Sequence, residues 1–206
     1  MKTIVITGPS GSGKTYLSNK LYKLFDNSIL IKTDSYYRDN ILIRILSIFL
    51  YDIYDKSFSI KKNKINNTLR SLYNKDKFIS IYEYDFKRKR SSESKVEINY
   101  KEENQFLILE GIFAHRLDIN YKESLNIVCE EEKEVCFNRR QKRDQIERGR
   151  NIKEVIKKFN KSWYLYYQNI QRFLNINNVI VINQLNLKSY KKLIMHLQNL
   201  KKNQEK

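Results

Sequence analysis

Five short apolar runs recur along the chain, each closing on polar or acidic residues: TIVIT (3–7), SILIKTD (28–34), QFLILEG (105–111), LNIVCE (125–130) and NVIVIN (178–183). Their continuous, β-branched character predicts strands buried on both faces, not the alternation of a half-solvated sheet. Most intervals between them carry helical spacing. Leu17, Leu21, Leu24 and Phe25 mark one face of a helix starting near Lys14, and Val155, Ile156 and Phe159 mark part of another. Strands alternating with helices predict an α/β fold of three layers around a mainly parallel sheet. Ligands of such sheets gather at the carboxyl ends of the strands. Chemistry is therefore sought just after each run.

At 206 residues the chain suits one domain, spanning 1–206, with no internal repeat or linker. The polar stretch around 81–104 reads as a β-hairpin insertion, 138–160 as a helical lid, and 201–206 as a frayed tail. The most apolar segment, ILIRILSIFL (41–50), carries Arg44 and is about half the length needed to cross a bilayer. It predicts a buried amphipathic helix and no membrane span. The sequence opens directly on a strand-like segment without a signal-peptide pattern, so a cytoplasmic protein is expected.

Glycine and proline are scarce, with 5 and 1 in the whole chain, yet Gly8, Pro9, Gly11 and Gly13 fall within six residues after the first run. Gly8-Pro9-Ser10-Gly11-Ser12-Gly13-Lys14-Thr15 fits G-x-x-x-x-G-K-[ST] between a strand and a helix. Phosphates wrapped by successive backbone N–H groups need glycine wherever a Cβ would block approach or φ must be positive. The helix behind the loop turns its positive end to them. Lys14 is expected to reach the β- and γ-phosphates and the Thr15 hydroxyl to bind Mg²⁺. ATP and Mg²⁺ are the expected cofactors. The loop alone leaves kinase, GTPase, motor and helicase open.

Asp34 closes the second run, placed to accept a proton from an acceptor hydroxyl, to touch Mg²⁺ through water, or to cap the next helix. Glu110 closes the third run in the same way, and a carboxylate there can hold Mg²⁺ or its waters. Gly111 beside it implies close backbone packing. The segment NRRQKRDQIERGR (138–150) gathers Arg139, Arg140, Arg143, Arg148 and Arg150. On a helix Arg139 and Arg143, and Arg140 and Arg143, share a face. Arginine forks match phosphate oxygens, and Gly149 offers the stop or hinge of a closing lid. Without the loop, the same run would read as a solvated basic helix with Asp144 and Glu147 as partners.

The net charge of +17 has three readings: a polyanionic partner, a phosphate site or a basic surface. Cys129 and Cys136 have no partners at metal-ligand spacing, and His115 and His196 are isolated, as surface or packing residues are.

With these motifs in hand, the chain resembles the uridine kinase (uridine–cytidine kinase) family of P-loop kinases. GPSGSGKT (8–15), TDSYYRD (33–39), YDF (84–86), EGIFA (110–114) and RRQKRDQIERGR (139–150) follow in that family's order. The resemblance implies a P-loop NTPase fold with a hairpin insertion and an arginine-rich helical lid. It implies Asp34 as the base for a nucleoside 5′-hydroxyl, with Lys14, Arg143 and Arg148 clamping charge. Mg²⁺ would lie near Thr15, Asp34 and Glu110. Gly8, Ser10, Gly11, Ser12, Gly13, Tyr16, Arg140 and Arg143 would surround the nucleotide with Lys14 and Thr15. Tyr37, Tyr84, Phe86, Arg140, Arg148 and Arg150 would join Asp34 in holding the substrate, and self-association is expected. Two departures stand out. Ile53 and Tyr54 fall where the family often has His-Pro, leaving Asp52 and Asp55 as ribose ligands, and KRKR (87–90) replaces a base-reading His.

The expected activity is ATP-dependent phosphorylation of a nucleoside, uridine or cytidine. Acceptors of the nicotinamide riboside, phosphoribulose or pantothenate type share the fold. A nucleic-acid-binding NTPase or polynucleotide kinase is the reading from another class, resting on the charge and on KSWYLYYQNIQRF (161–173). Trp163, Tyr166, Tyr167 and Ile170 also lie at helical spacing, which predicts core. A kinase frame kept as a binding module is the third.

Overall fold

The computed structural model describes residues 1–43, 45, 56–101, 106–175, 178–183 and 186–202. The first run becomes β1 (Lys2–Thr7), followed by α1 (Lys14–Leu24) and β2 (Ile29–Lys32). Next come α2 (Lys62–Tyr73) and two antiparallel strands, β3 (Phe78–Asp85) and β4 (Arg90–Glu97). The later runs give β5 (Phe106–Glu110) and β6 (Leu125–Glu130). Helices α3 (Lys133–Arg148) and α4 (Ile152–Leu174) precede β7 (Val179–Asn183) and α5 (Leu187–Lys202). The main sheet is wholly parallel, in the order β2-β5-β1-β6-β7.

Strand pleating sorts β1 onto two cores. Ile4 and Ile6 join Leu17, Leu21 and Phe25 of the α1 side with Leu193 and Leu197 of α5. Val5 faces the other way, among Ile65 and Leu72 of α2 and Tyr166, Ile170 and Phe173 of α4. The result is the expected three-layer α/β fold. The predicted apolar faces are slightly too broad. Leu24 and Ile156 are 42% and 41% exposed, because Leu17, Leu21 and Phe25, and Val155 and Phe159, already fill the stripe against the sheet. Tyr166 and Ile170 are core, with Trp163 and Tyr167 half-buried beside them.

The antiparallel pair begins three residues before the expected insertion and ends at Glu97. It is tied to the body by the Tyr36–Tyr82 ring contact at 5.0 Å and by Ser91 N donating to Asp39 Oδ2 at 3.0 Å. Of the segment 41–50, Ile43 is buried while Ile41, Leu42 and Ile45 are exposed. The rest of it, with Ile53, Tyr54, Asp52 and Asp55, lies outside the described residues, as does the tail beyond Lys202. Gly149 sits in the left-handed region at φ 62° and separates α3 from α4, whose first turn is capped by the Asn151 side chain accepting from Glu154 N at 2.9 Å.

Candidate active site

Strand β1 delivers the loop 8–13 to the carboxyl edge of the sheet, and the loop feeds α1. Gly11 and Gly13 adopt φ 93° and 86°, a region costly to any residue with a Cβ. A Cβ on Gly11 would also lie 2.2 Å from the Cys136 carbonyl oxygen of α3. Gly13 stands at the N-cap of α1 with no side chain accepting from the first turn. The first-turn amide donors at that helix end suit a phosphate group. Ser12 is fully buried inside the loop, and Lys14 is 6% exposed with Nζ donating to the Pro9 carbonyl at 3.4 Å. Arg139 also supports the loop: its NH1 donates to the Gly11 carbonyl at 3.2 Å while NH2 faces the buried Glu131 carboxylate at 3.6 Å.

The carboxylates sit beside this loop. Asp34 lies in the single turn Thr33–Tyr36 after β2, and its Oδ1 accepts from Ile112 N at 3.3 Å. Gly111 makes that approach feasible, since a Cβ there would meet Thr33 Oγ1 at 2.0 Å and Asp34 Oδ1 at 2.8 Å. Glu110, at the end of β5, accepts from the Thr15 hydroxyl at 3.2 Å. Burial pushes its carboxyl up to about 7, with Lys14 opposing and Asp34 adding to the rise. One hydroxyl and two carboxylates form a hard oxygen set that fits Mg²⁺, which usually keeps waters and takes its other ligands from phosphate. Among the described residues no cluster of three or more acidic, His or Cys ligands exists that would hold a metal by protein alone.

The arginines converge on one buried side chain. Asp144 is 0% exposed, and its carboxylate lies 2.9 Å from Arg143 NH2, 3.3 Å from Arg148 NH1, 2.7 Å from Arg150 NH1 and 3.6 Å from Arg140 Nε. Burial alone would raise the Asp144 pKa, yet Arg148, Arg143 and Arg140 hold it below the ordinary carboxylate value. Arg148 in turn is lowered to about 10 by burial and by its arginine neighbours. The Asp144 carbonyl also accepts from Arg150 N at 3.2 Å, closing the turn at Gly149 that swings Arg150 back. Arg143 NH2 reaches Ser10 Oγ at 3.3 Å, which joins the cluster to the loop.

Ser10, Lys14, Thr15 and Asp34 line one cavity with Arg140, Arg143, Arg148 and Arg150. Its other wall is aromatic. Tyr37, Tyr84 and Phe86 meet edge to face with centroids 5.1–6.0 Å apart, and the Arg148 guanidinium lies 4.1 Å over Phe86. Gly8 is one step deeper, where a Cβ would strike Ser12 Oγ and the Cys129 carbonyl. Glu110 stands behind Thr15. Tyr16 is 61% exposed and does not line the cavity. Sequence reasoning gave no role to Lys158 or Ile112, which line it too. Spacing offered no signal for Lys158, which α4 brings in from a distant stretch of chain.

Fold and loop together define a P-loop nucleotide-binding protein, which its relatives make a phosphotransferase acting on a hydroxyl group. The Phosphoribulokinase / Uridine kinase family model matches residues 3–188. A uridine kinase of Haemophilus ducreyi is 33% identical over 168 residues, covering 77% of this chain and 74% of its own length. One of Streptococcus mutans is 27% identical over 200 residues, covering 90% and 92%. Among solved structures, D-glycerate 3-kinase from Cryptococcus neoformans superposes with a TM-score of 0.54 at 12% identity, over 81% of this chain and 78% of that one. A possible uridine kinase from Bacillus stearothermophilus gives 0.55 at 12%, over 87% and 88%. The chain belongs to the phosphoribulokinase/uridine kinase family. No helix among the described residues is long and apolar enough to cross a membrane.

Proposed function

We propose that the chain transfers the γ-phosphoryl group of ATP to the 5′-hydroxyl of a pyrimidine nucleoside, uridine or cytidine. The observation that carries this reading is the position of Asp34, in one cavity with Lys14 and Thr15 of the phosphate loop and with the aromatic wall Tyr37–Tyr84–Phe86. The wall offers flat apolar faces for a base. Asp34 accepts the hydroxyl proton as the oxygen attacks phosphorus. The loop amides and Lys14 hold the triphosphate, and Arg143 and Arg148 neutralise the charge spreading over the transferred oxygens. Thr15, Asp34 and Glu110 would hold Mg²⁺, which when bound would offset charge on the phosphates. Catalysis here is mostly placement and electrostatics.

Four of the seven cations lining the cavity, Lys89, Lys158, Arg148 and Arg150, favour one second reading, an acceptor that carries an acid group, of the phosphoribulose or pantothenate type. A phosphoryl-transfer screen with Mg²⁺-ATP separates the two, using Lys14→Ala as the blank. Turnover of uridine or cytidine is expected. Turnover confined to acidic acceptors would overturn the nucleoside reading and leave the kinase intact.

A further inference from the structure

Thr7 closes β1 and stands directly before the phosphate loop, fully buried, yet its hydroxyl is tied to other parts of the fold. The β1–β5 ladder ends where Ile6 faces Glu110, with Gly111 N donating to the Ile6 carbonyl at 3.1 Å. From Gly111 onward the chain leaves the sheet, and side chains take over from the ladder. Thr7 Oγ1 donates to the Ile112 carbonyl at 3.3 Å, while Ile112 N donates to Asp34 Oδ1 at 3.3 Å. Ile112 is buried and lines the cavity beside Asp34. One residue thus holds Thr7 on its carbonyl and the carboxylate on its amide.

A hydroxyl has one proton to donate and lone pairs to accept with. The Thr7 proton goes to the Ile112 carbonyl, since a carbonyl can only accept. His115 Nδ1, 3.1 Å from the same Thr7 oxygen, must then donate to it, which fixes the neutral imidazole with its proton on Nδ1. His115 is itself seated against the rings of Tyr166 and Phe173 on α4. A line of contacts therefore runs from α4 through His115, Thr7 and Ile112 and ends on the Asp34 carboxylate. A misplacement of about 1 Å at a reacting group costs up to about 10²-fold in rate.

We infer that Thr7 is a positioning residue for phosphoryl transfer: oriented by His115, its hydroxyl holds the Ile112 backbone whose N–H aims Asp34 at the acceptor. This rests on the reading of Asp34 as the base. The test compares Thr7→Val, which keeps the shape and loses the hydroxyl, with Thr7→Ser, which keeps the hydroxyl, and with Asp34→Asn. All are assayed with Mg²⁺-ATP and uridine, or the acceptor that the screen above identifies. Thr7→Val should lower kcat at least about tenfold, with the KM for Mg²⁺-ATP within about threefold of the wild type. Thr7→Ser should bring kcat back to within about threefold. An unchanged kcat in Thr7→Val, a loss that follows weaker ATP binding, or one that Thr7→Ser does not relieve overturns the inference. If Asp34→Asn is inactive in that same assay, the base reading stands. Full turnover by Asp34→Asn overturns both. Nitrogen NMR of the His115 imidazole in the wild type tests the line of contacts even where Thr7→Val fails to fold. The proton is expected on Nδ1, and a proton on Nε2 overturns the inference.

Discussion

Asp144 shows how much one side chain can organise. Four guanidiniums drawn together at one cavity repel one another, and this buried carboxylate holds Arg140, Arg143, Arg148 and Arg150 in a common cluster. Breaking such a buried pair costs about 3–5 kcal/mol, because the remaining charges stay unmatched. Asp144→Asn should therefore lower the melting temperature and cut turnover at least tenfold. Inorganic tripolyphosphate should restore part of the lost stability, since it neutralises the arginines that the carboxylate released. Thermal unfolding with and without tripolyphosphate checks this, and a variant indifferent to the polyanion would contradict the counter-ion role. The arginines were legible in the sequence as an i,i+3 and i,i+4 set, but the hub was not. Spacing presents Asp144 as one acid among basic neighbours. What makes it central is the left-handed turn at Gly149, which returns Arg150 to the same carboxylate. Nor does spacing place Arg139 on the Gly11 carbonyl, a contact between chain segments 128 residues apart.

At the level of elements, the apolar runs located every strand of the parallel sheet. Strands β1, β5 and β6 are buried on both faces and have no solvent-facing position within them to blur the run, while the partly exposed edge strands β2 and β7 keep continuous apolar runs all the same. LNIVCE coincides with β6 from end to end. The hairpin was harder to delimit: β4 is mostly exposed along its length, so its sequence carries no core signal, and β3 starts at the half-exposed Phe78. His115 was expected at the surface or in packing, and the structure puts it between elements. It lies within 3.1 Å of Thr7 Oγ1 at the end of β1 and against the rings of Tyr166 and Phe173 on α4. Burial, aided by Arg116, lowers its pKa from 6.5 to about 3. The unfolded chain thus takes up a proton as the pH drops below about 6.5 and the folded chain does not. Stability from this group is present above 6.5 and is lost as the pH falls towards 3. Between pH 7 and pH 5 the loss should be about 2 kcal/mol, at ~1.4 kcal/mol per unit. Urea unfolding at the two pH values reads it directly, and His115→Gln should flatten the difference.

For the molecule as a whole, the fold supplies a frame and the site supplies the chemistry. The parallel sheet brings the ends of β1, β2 and β5 to one edge, where the loop, Asp34 and Glu110 meet. The helical pair α3 and α4 adds the arginines from above. Part of the net charge of +17 is gathered in that cluster, which under the proposed function would face a Mg²⁺-triphosphate. The central claim is that Asp34 activates the acceptor, while the loop amides and Lys14 carry most of the nucleotide binding. The most direct measurement pairs the turnover of Asp34→Asn with its ATP affinity by calorimetry. The account predicts a loss of kcat of about 10²–10⁴-fold, the range of a positioned base, with ATP affinity within about threefold of the wild type. Retained turnover, or a loss that tracks lost ATP binding, would contradict it.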